Sequence, residues 1–235
     1  MVNRAPLRRL PSRSHRALPA GAALLLLALG VPRSASAAML RVAVDPGAPR
    51  PASRLAKGKF VVASRDLHDP NFAEAVILLV DYDERGALGV IVNRPTEVRL
   101  TEALPEVKEL RQRKDTVFLG GPVGRDRMVV LLRAAQAPPQ SVLVFEQVYA
   151  TGSLDALRGS VKRNDGVRAY AGYTGWGPRQ LDAEVERGDW LIGPADSKAI
   201  FEERPNRVWE KLLERLAGDW AAADVVERAA RNAAH

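Results

Sequence analysis

Three glycines and a proline surround one tryptophan in Gly172-Tyr173-Thr174-Gly175-Trp176-Gly177-Pro178-Arg179-Gln180-Leu181, and Glu184, Gly188, Asp189 and Trp190 follow closely. So much backbone punctuation around so large a side chain is too specific for a generic turn, and it allows two outcomes. In one, the glycines bare Trp176 as an aromatic wall beside a helix opened by Pro178, whose unpaired N–H groups favour an anionic or planar group. In the other, they only let the indole turn inward as a plug of the core. The wall is the expectation carried forward, with Gly175 at a positive φ beside it. Leu181 and Val185, four apart, give the helix a buried face and Gly188 closes it, while Gln180 and Glu184 share another face. If Arg94 lies beneath them, Arg94, Trp176, Gln180 and Glu184 form one polar patch. Otherwise Arg94 makes a structural pair, with Glu184 or Asp189 as partner.

Upstream, short β-branched runs bounded by turn residues read as buried strands: Phe60-Val61-Val62-Ala63, Val76-Ile77-Leu78-Leu79-Val80 and a segment starting at Leu88. The last two are joined by Asp81-Tyr82-Asp83-Glu84-Arg85-Gly86 as a hairpin. A calcium loop fails there, because Arg85 and Val92 stand where oxygen ligands are required. Asp69-Pro70 caps a short turn through Phe72. A helix from Thr101 to about Arg113 is interrupted early by Pro105. Strands follow at 116–119, 127–132 and 142–145, then a helix capped by Ser153 or Thr151 running to about Lys162. A strand at 167–171 precedes the tryptophan segment. Trp190-Leu191-Ile192 is a last short strand, and helices near 195–201, 206–216 and 220–230 finish the chain. Without a βαβ alternation or an internal repeat, this order predicts an α+β fold, a mixed β-sheet with packed helices.

The charge sits in one place. Of the 35 basic residues, Arg4, Arg8, Arg9, Arg13, Arg16 and Arg33 fall in residues 1–37, which hold no acid. The remainder carries 29 basic against 28 acidic groups, too little excess for counterion release on DNA, so no nucleic-acid partner is expected. Residues 1–37 combine this basic start with an apolar run from Gly21 to Val31 and the cleavage pattern Ala35-Ser36-Ala37, which reads as a signal peptide removed after Ala37. The run is about half the ~20 residues of a spanning helix, so no permanent membrane anchor is expected. Export to the periplasm follows, or a cytoplasmic protein if the start codon lies too far upstream. Residues 38–56 form a Pro-rich linker, and a single domain spans 57–235. The chain holds no cysteine, which removes disulfides, catalytic thiols and thiolate metal sites.

Three segments carry a resemblance. The tryptophan segment, Gly120-Gly121-Pro122-Val123 and Gly86-Ala87-Leu88-Gly89-Val90-Ile91-Val92-Asn93-Arg94-Pro95 stand in the order and spacing that resemble the YqgE/AlgH family of bacterial proteins. The opening Ala63-Ser64-Arg65-Asp66-Leu67-His68-Asp69-Pro70-Asn71-Phe72 is similar to that family's start. The chain departs from the pattern at Arg179, where Gly is usual, and at Asp182, where Glu is usual. The resemblance covers roughly residues 57–220 and implies a large mixed sheet with helices around it. It implies no established activity, although members are sometimes described as transcriptional regulators of exopolysaccharide production.

Catalytic chemistry finds little support. Ser64 and His68, four apart with Asp66 and Asp69 nearby, lack a nucleophile elbow, and the residues read instead as a solvated turn. There is no His-Glu-x-x-His or other metal pattern, and Gly120-Gly121 lacks the remaining residues of a phosphate loop. That pair reads first as a bend allowing close backbone approach, with a direct ligand role for Gly121 as the alternative. The expectation is an accessory or regulatory protein without catalytic residues, metal or cofactor. It would bind a small ligand or protein partner through Arg94, Gly121, Gly175, Trp176, Gln180 and Glu184. The competing readings are an enzyme of unknown class, of which a hydrolase using Ser64, His68 or Glu184 is one form, and a transcriptional regulator, the description that the resemblance brings.

Overall fold

In the computed structural model, which describes residues 55–216, the apolar runs become strands buried on both faces. In β1 (Lys59–Ala63) and β2 (Val76–Asp83), Phe60, Val62, Val76, Leu78 and Val80 join one core cluster, while Val61, Ala63, Ile77 and Leu79 join another. Side chains alternate along a strand, so a run without polar gaps is what a sheet covered on both sides requires.

A two-residue turn leads into β3 (Gly86–Ile91), with Asp83 Oδ1 accepting from the Arg85 backbone N–H at 2.8 Å. Gly86 has φ +135°, and a Cβ there would lie 2.1 Å from the Trp176 carbonyl oxygen, so glycine is required by the neighbouring strand as well as by the turn. The chain continues through β4 (Pro95–Arg99), α1 (Leu100–Ala103), a 3-10 turn at Lys108–Gln112, β5 (Thr116–Leu119), β6 (Val123–Arg133), β7 (Val142–Phe145) and β8 (Val148–Thr151). Then come α2 (Leu154–Lys162), β9 (Gly166–Trp176), α3 (Gln180–Glu186), β10 (Trp190–Pro194) and α4 (Ser197–Phe201); residues 205–216 are helical and are labelled α5.

The main path of the sheet runs β10-β1-β2-β3-β9-β6-β8-β7, and β9 is its spine. Along one edge, the first half of β9 takes β5 in parallel, from Val117↔Ala169 to Leu119↔Ala171. The second half takes β3 antiparallel, with Gly89 opposite Thr174 and Ala87 opposite Trp176. β6 holds the other edge antiparallel. One parallel pair within antiparallel neighbours makes the sheet mixed, as the order of elements predicts. Its β7 end turns back toward β1 and β2, since a Cβ on Gly58, just before β1, would meet the Val144 carbonyl oxygen at 2.8 Å. The sheet therefore curls. Helices close its faces: Ala199, Ile200, Val208, Leu212 and Leu216 of α4 and α5 on one cluster, Leu181 and Val185 of α3 on the second, and Ala156 and Leu157 of α2 on a third.

Several boundaries differ from the sequence expectation. The predicted 101–113 helix is two short pieces, α1 and the 3-10 turn, because Pro105 lacks the N–H to continue. β8 was not foreseen; it follows Phe145 after only two residues, with Glu146 at φ +44° supplying the tight reversal. β9 runs five residues beyond Ala171, through Gly172 and Gly175 of the tryptophan segment. Pro178 does not open α3, which starts at Gln180 after Arg179 adopts φ +58°. Ser153 does cap α2, its Oγ accepting from the Ala156 N–H at 3.3 Å. The leader over 1–37, nearly all of the 38–56 linker and the helix over 220–230 lie outside the described residues.

Candidate functional site

The residues singled out in the sequence separate into two places. Trp176, Gln180 and Glu184 come together, but as structure. Trp176 ends β9 with 7% of its surface exposed, packed with Leu181, Val185 and Trp190. The two indoles meet edge to face at 6.2 Å between ring centroids. Both Nε1–H groups donate to Glu184 Oε2, each at 2.9 Å, and Gln180 Nε2 donates to Oε1 at 3.0 Å. Gln180 Oε1 in turn accepts from the Gly177 N–H at 3.1 Å. One carboxylate thus satisfies two indoles and a carboxamide, and the amide N–H after Trp176 is also committed.

The aromatic wall is therefore overturned, and strand alternation is the reason. Because β9 continues through residue 176, Thr174 and Trp176 turn inward and Gly175 outward. Gly175 does not need a positive φ; an added Cβ would meet only the Tyr173 ring at 3.7 Å. Beside this cluster the Tyr82 hydroxyl donates to Asp182 Oδ1 at 2.9 Å. Burial, reinforced by that bond and by the charge of Asp182, pushes the phenol pKa up to about 12.

Arg94 is elsewhere, and its guanidinium reaches neither Glu184 nor Asp189. It donates to the Asn71 carbonyl and, from Nη2, to the Ala73 carbonyl at 2.8 Å. Its neighbour Asn93 accepts from the Val76 N–H and donates to the Glu74 carbonyl, both at 2.9 Å. Asn93-Arg94 so clamps the 70–75 loop on the end of β3. Burial lowers the guanidinium pKa from its usual value, an effect opposed by the carboxylates of Asp69 and Glu74.

Arg94 and Gly121 line one cleft of about 130 Å³, together with Asn71, Arg125 and an apolar set of Pro70, Ile91, Leu119 and Pro122. The close passage of backbones builds it. Gly120 and Gly121 would place a Cβ 2.3 Å from the Gly172 oxygen and 2.2 Å from the Tyr173 oxygen, so only glycines let the β5–β6 bend lie on β9. Ile91 N–H donates to the Gly120 oxygen and Leu119 N–H to the Arg94 oxygen, both at 2.8 Å, tying three segments into one rim. Among the described residues neither Arg94 nor Arg125 takes part in an ion pair. Arg125 and Asn71 escaped the sequence reading, since nothing in the spacing places residues 70–71 and 125 against Arg94.

The hydrolase pair does not form. Ser64 Oγ is buried without a hydrogen-bond partner, whereas His68 is exposed. Among the described residues no group of three His, Cys, Asp or Glu side chains could hold a metal ion.

Comparison with known proteins matches the AlgH-like model (DUF179) to residues 60–221. A UPF0301 protein of Streptomyces coelicolor is 35% identical over 170 residues, 70% of this chain and 88% of that protein. Another, from Methylococcus capsulatus, is 38% identical over 163 residues, 66% of this chain and 88% of the relative. The solution structure of the AlgH protein from Pseudomonas aeruginosa superposes with a TM-score of 0.59 at 30% identity, covering 68% of this chain and 88% of that one. The crystal structure of protein DIP2367 from Corynebacterium diphtheriae gives 0.60 at 23% identity, over 68% and 87% of the two chains, and speaks for the fold alone.

Proposed function

This chain belongs to the AlgH-like family, and on that premise we propose that it is an accessory protein which acts by binding rather than by chemistry, with the Arg94–Arg125 cleft as its binding site. One observation carries the reading. A half-buried guanidinium, held in place by two backbone carbonyls and paired with no carboxylate among the described residues, lines a concave site with a second arginine. Arginine keeps five N–H donors and stays charged at any working pH, so Arg94 has donors left for an anionic group. The binding surface accordingly moves from the Gly-Trp-Gly-Pro segment to the bend at Gly121. The hydrolase reading loses support because Ser64 and His68 do not meet.

The test is an NMR titration of the purified protein with acetate and with inorganic phosphate. Saturable shifts at Arg94, Gly121 and Arg125 with at least one anion, lost in Arg125→Gln, are expected. Absence of saturable shifts with either anion would overturn the reading. We further propose export, on the strength of the leader over residues 1–37. A mature N-terminus at Ala38 is expected, and soluble cytosolic protein retaining the intact leader would contradict it.

A further inference from the structure

We propose that the outer edge of β4 pairs antiparallel with β4 of a second copy of this chain, about a two-fold axis at Val98. The backbone comes first. Among the described residues β4 is joined to β5 alone, which leaves its other edge open. Leu119 N–H donates to the Arg94 oxygen and Leu100 N–H to the Asp115 oxygen, both at 2.8 Å, so residues 94 and 100 turn their peptide groups toward β5. These groups alternate along a strand, so those of Glu97 and Arg99 face the open edge. Val98 N–H, on the inner side, is taken by Thr96 Oγ1 at 3.2 Å. An edge with free N–H and C=O groups is a template for another strand.

The side chains select the partner. Glu97, Val98 and Arg99 are all exposed, Val98 to 47%. Among the described residues neither Glu97 nor Arg99 takes part in an ion pair. When Val98 stands opposite its own copy, Glu97 stands opposite the partner's Arg99 on the same face, and the two-fold repeats the pair. The same register makes these the hydrogen-bonded pairs, which use the open peptide groups in both directions, and it sets Val98 against the partner's Val98 on the other face. A slip of two residues either way would bring Glu97 onto the partner's Glu97 or Arg99 onto the partner's Arg99, so the charges fix the register. Pro95 and the irregular register between Pro95 and Arg99 keep the paired segment short, and the dimer is therefore a weak, reversible one.

The experiment is sedimentation velocity of the purified protein at low salt, over concentrations from about 10 μM to about 1 mM, where a weak dimer forms and dissociates. Wild type should show a concentration-dependent monomer–dimer equilibrium. Glu97→Arg and Arg99→Glu, both at exposed positions and so expected to fold, each set like charges across the axis and should weaken self-association at least about tenfold. Mixed in equal amounts, the two variants are complementary to each other and should associate about as tightly as wild type. A wild-type protein that stays monomeric throughout the range overturns the proposal. So does a dimer that neither variant weakens, which would place the contact elsewhere, and so does a mixture that associates no better than either variant alone.

Discussion

The Trp176–Glu184 cluster and the Arg94–Arg125 cleft are built from the same kinds of groups, an ionised side chain against apolar surface, yet they differ in how their hydrogen bonds are spent. At Glu184 the carboxylate accepts three bonds from three side chains, all supplied within fifteen residues of chain. At Arg94 the two bonds made go to carbonyls of a loop more than twenty residues away, and further donors remain. A saturated polar cluster rigidifies what it joins, here the end of β9, α3 and the start of β10. An unsaturated one at the mouth of a cleft is where a binding partner gains most. Of the residues singled out in the sequence, Trp176, Gln180 and Glu184 therefore belong to the scaffold, whereas Arg94 and Gly121 line the candidate site.

The largest expected effect breaks this contrast if it fails. Trp176→Ala should cost on the order of 3–5 kcal/mol in urea unfolding, since a large aromatic leaves a cavity and the Glu184 carboxylate loses a donor. Anion binding at the Arg94 cleft should persist in the folded fraction. A loss below about 1 kcal/mol would return Trp176 to the surface role that its flanking glycines suggested.

A smaller effect sharpens the description of the saturated region through pH. Tyr82 binds its proton more tightly folded, with a pKa of about 12, than the ordinary phenol value of 10.0. Its contribution to stability is therefore complete below pH 10, and it is lost as the pH rises from there through about 12. Wild-type protein should lose stability over that interval more steeply than Tyr82→Phe. The fully buried Tyr170 also has a raised pKa, so both proteins will weaken and the difference between their curves is the quantity to follow. Parallel curves would mean that the Tyr82–Asp182 bond does not couple β2 to α3.

Much of this architecture was legible because it is written locally. Unbroken runs such as 76–80 announce strands covered on both faces, and the Ser153 cap, the 181/185 spacing and the Gly188 stop of α3 each act within a few residues. What escaped depends on distant backbone. Glycines at 172 and 175 look alike in sequence, but only Gly172 has a positive φ, with Gly121 and Val123 oxygens 2.7 and 2.8 Å from any added Cβ. The strand expected over 167–171 left residues 172–176 outside it, and without the alternation of that strand the flanking glycines suggested an outward Trp176. The cleft is harder still to foresee, because Asn71, Arg94 and Arg125 meet only after β3, β5 and β6 have converged on one strand.

The smallest expected effect tests that explanation directly. If strand alternation rather than local glycine freedom turns Trp176 inward, Gly175→Ala should be nearly silent. The residue is exposed, it lacks a positive φ, and a methyl group would make ordinary contact with the Tyr173 ring at 3.7 Å. Replacing a glycine inside a strand also reduces the freedom of the unfolded chain, which adds a few tenths of a kcal/mol in favour of alanine. The unfolding midpoint should thus move by less than about 0.5 kcal/mol in either direction, with tryptophan fluorescence unchanged because both indoles keep their bonds to Glu184. Gly121→Ala is the matched opposite, since its Cβ would sit 2.2 Å from the Tyr173 oxygen and must separate the bend from β9. A Gly175→Ala protein as unstable as Gly121→Ala would show that the glycine, and not the pleat of β9, holds Trp176 in the core.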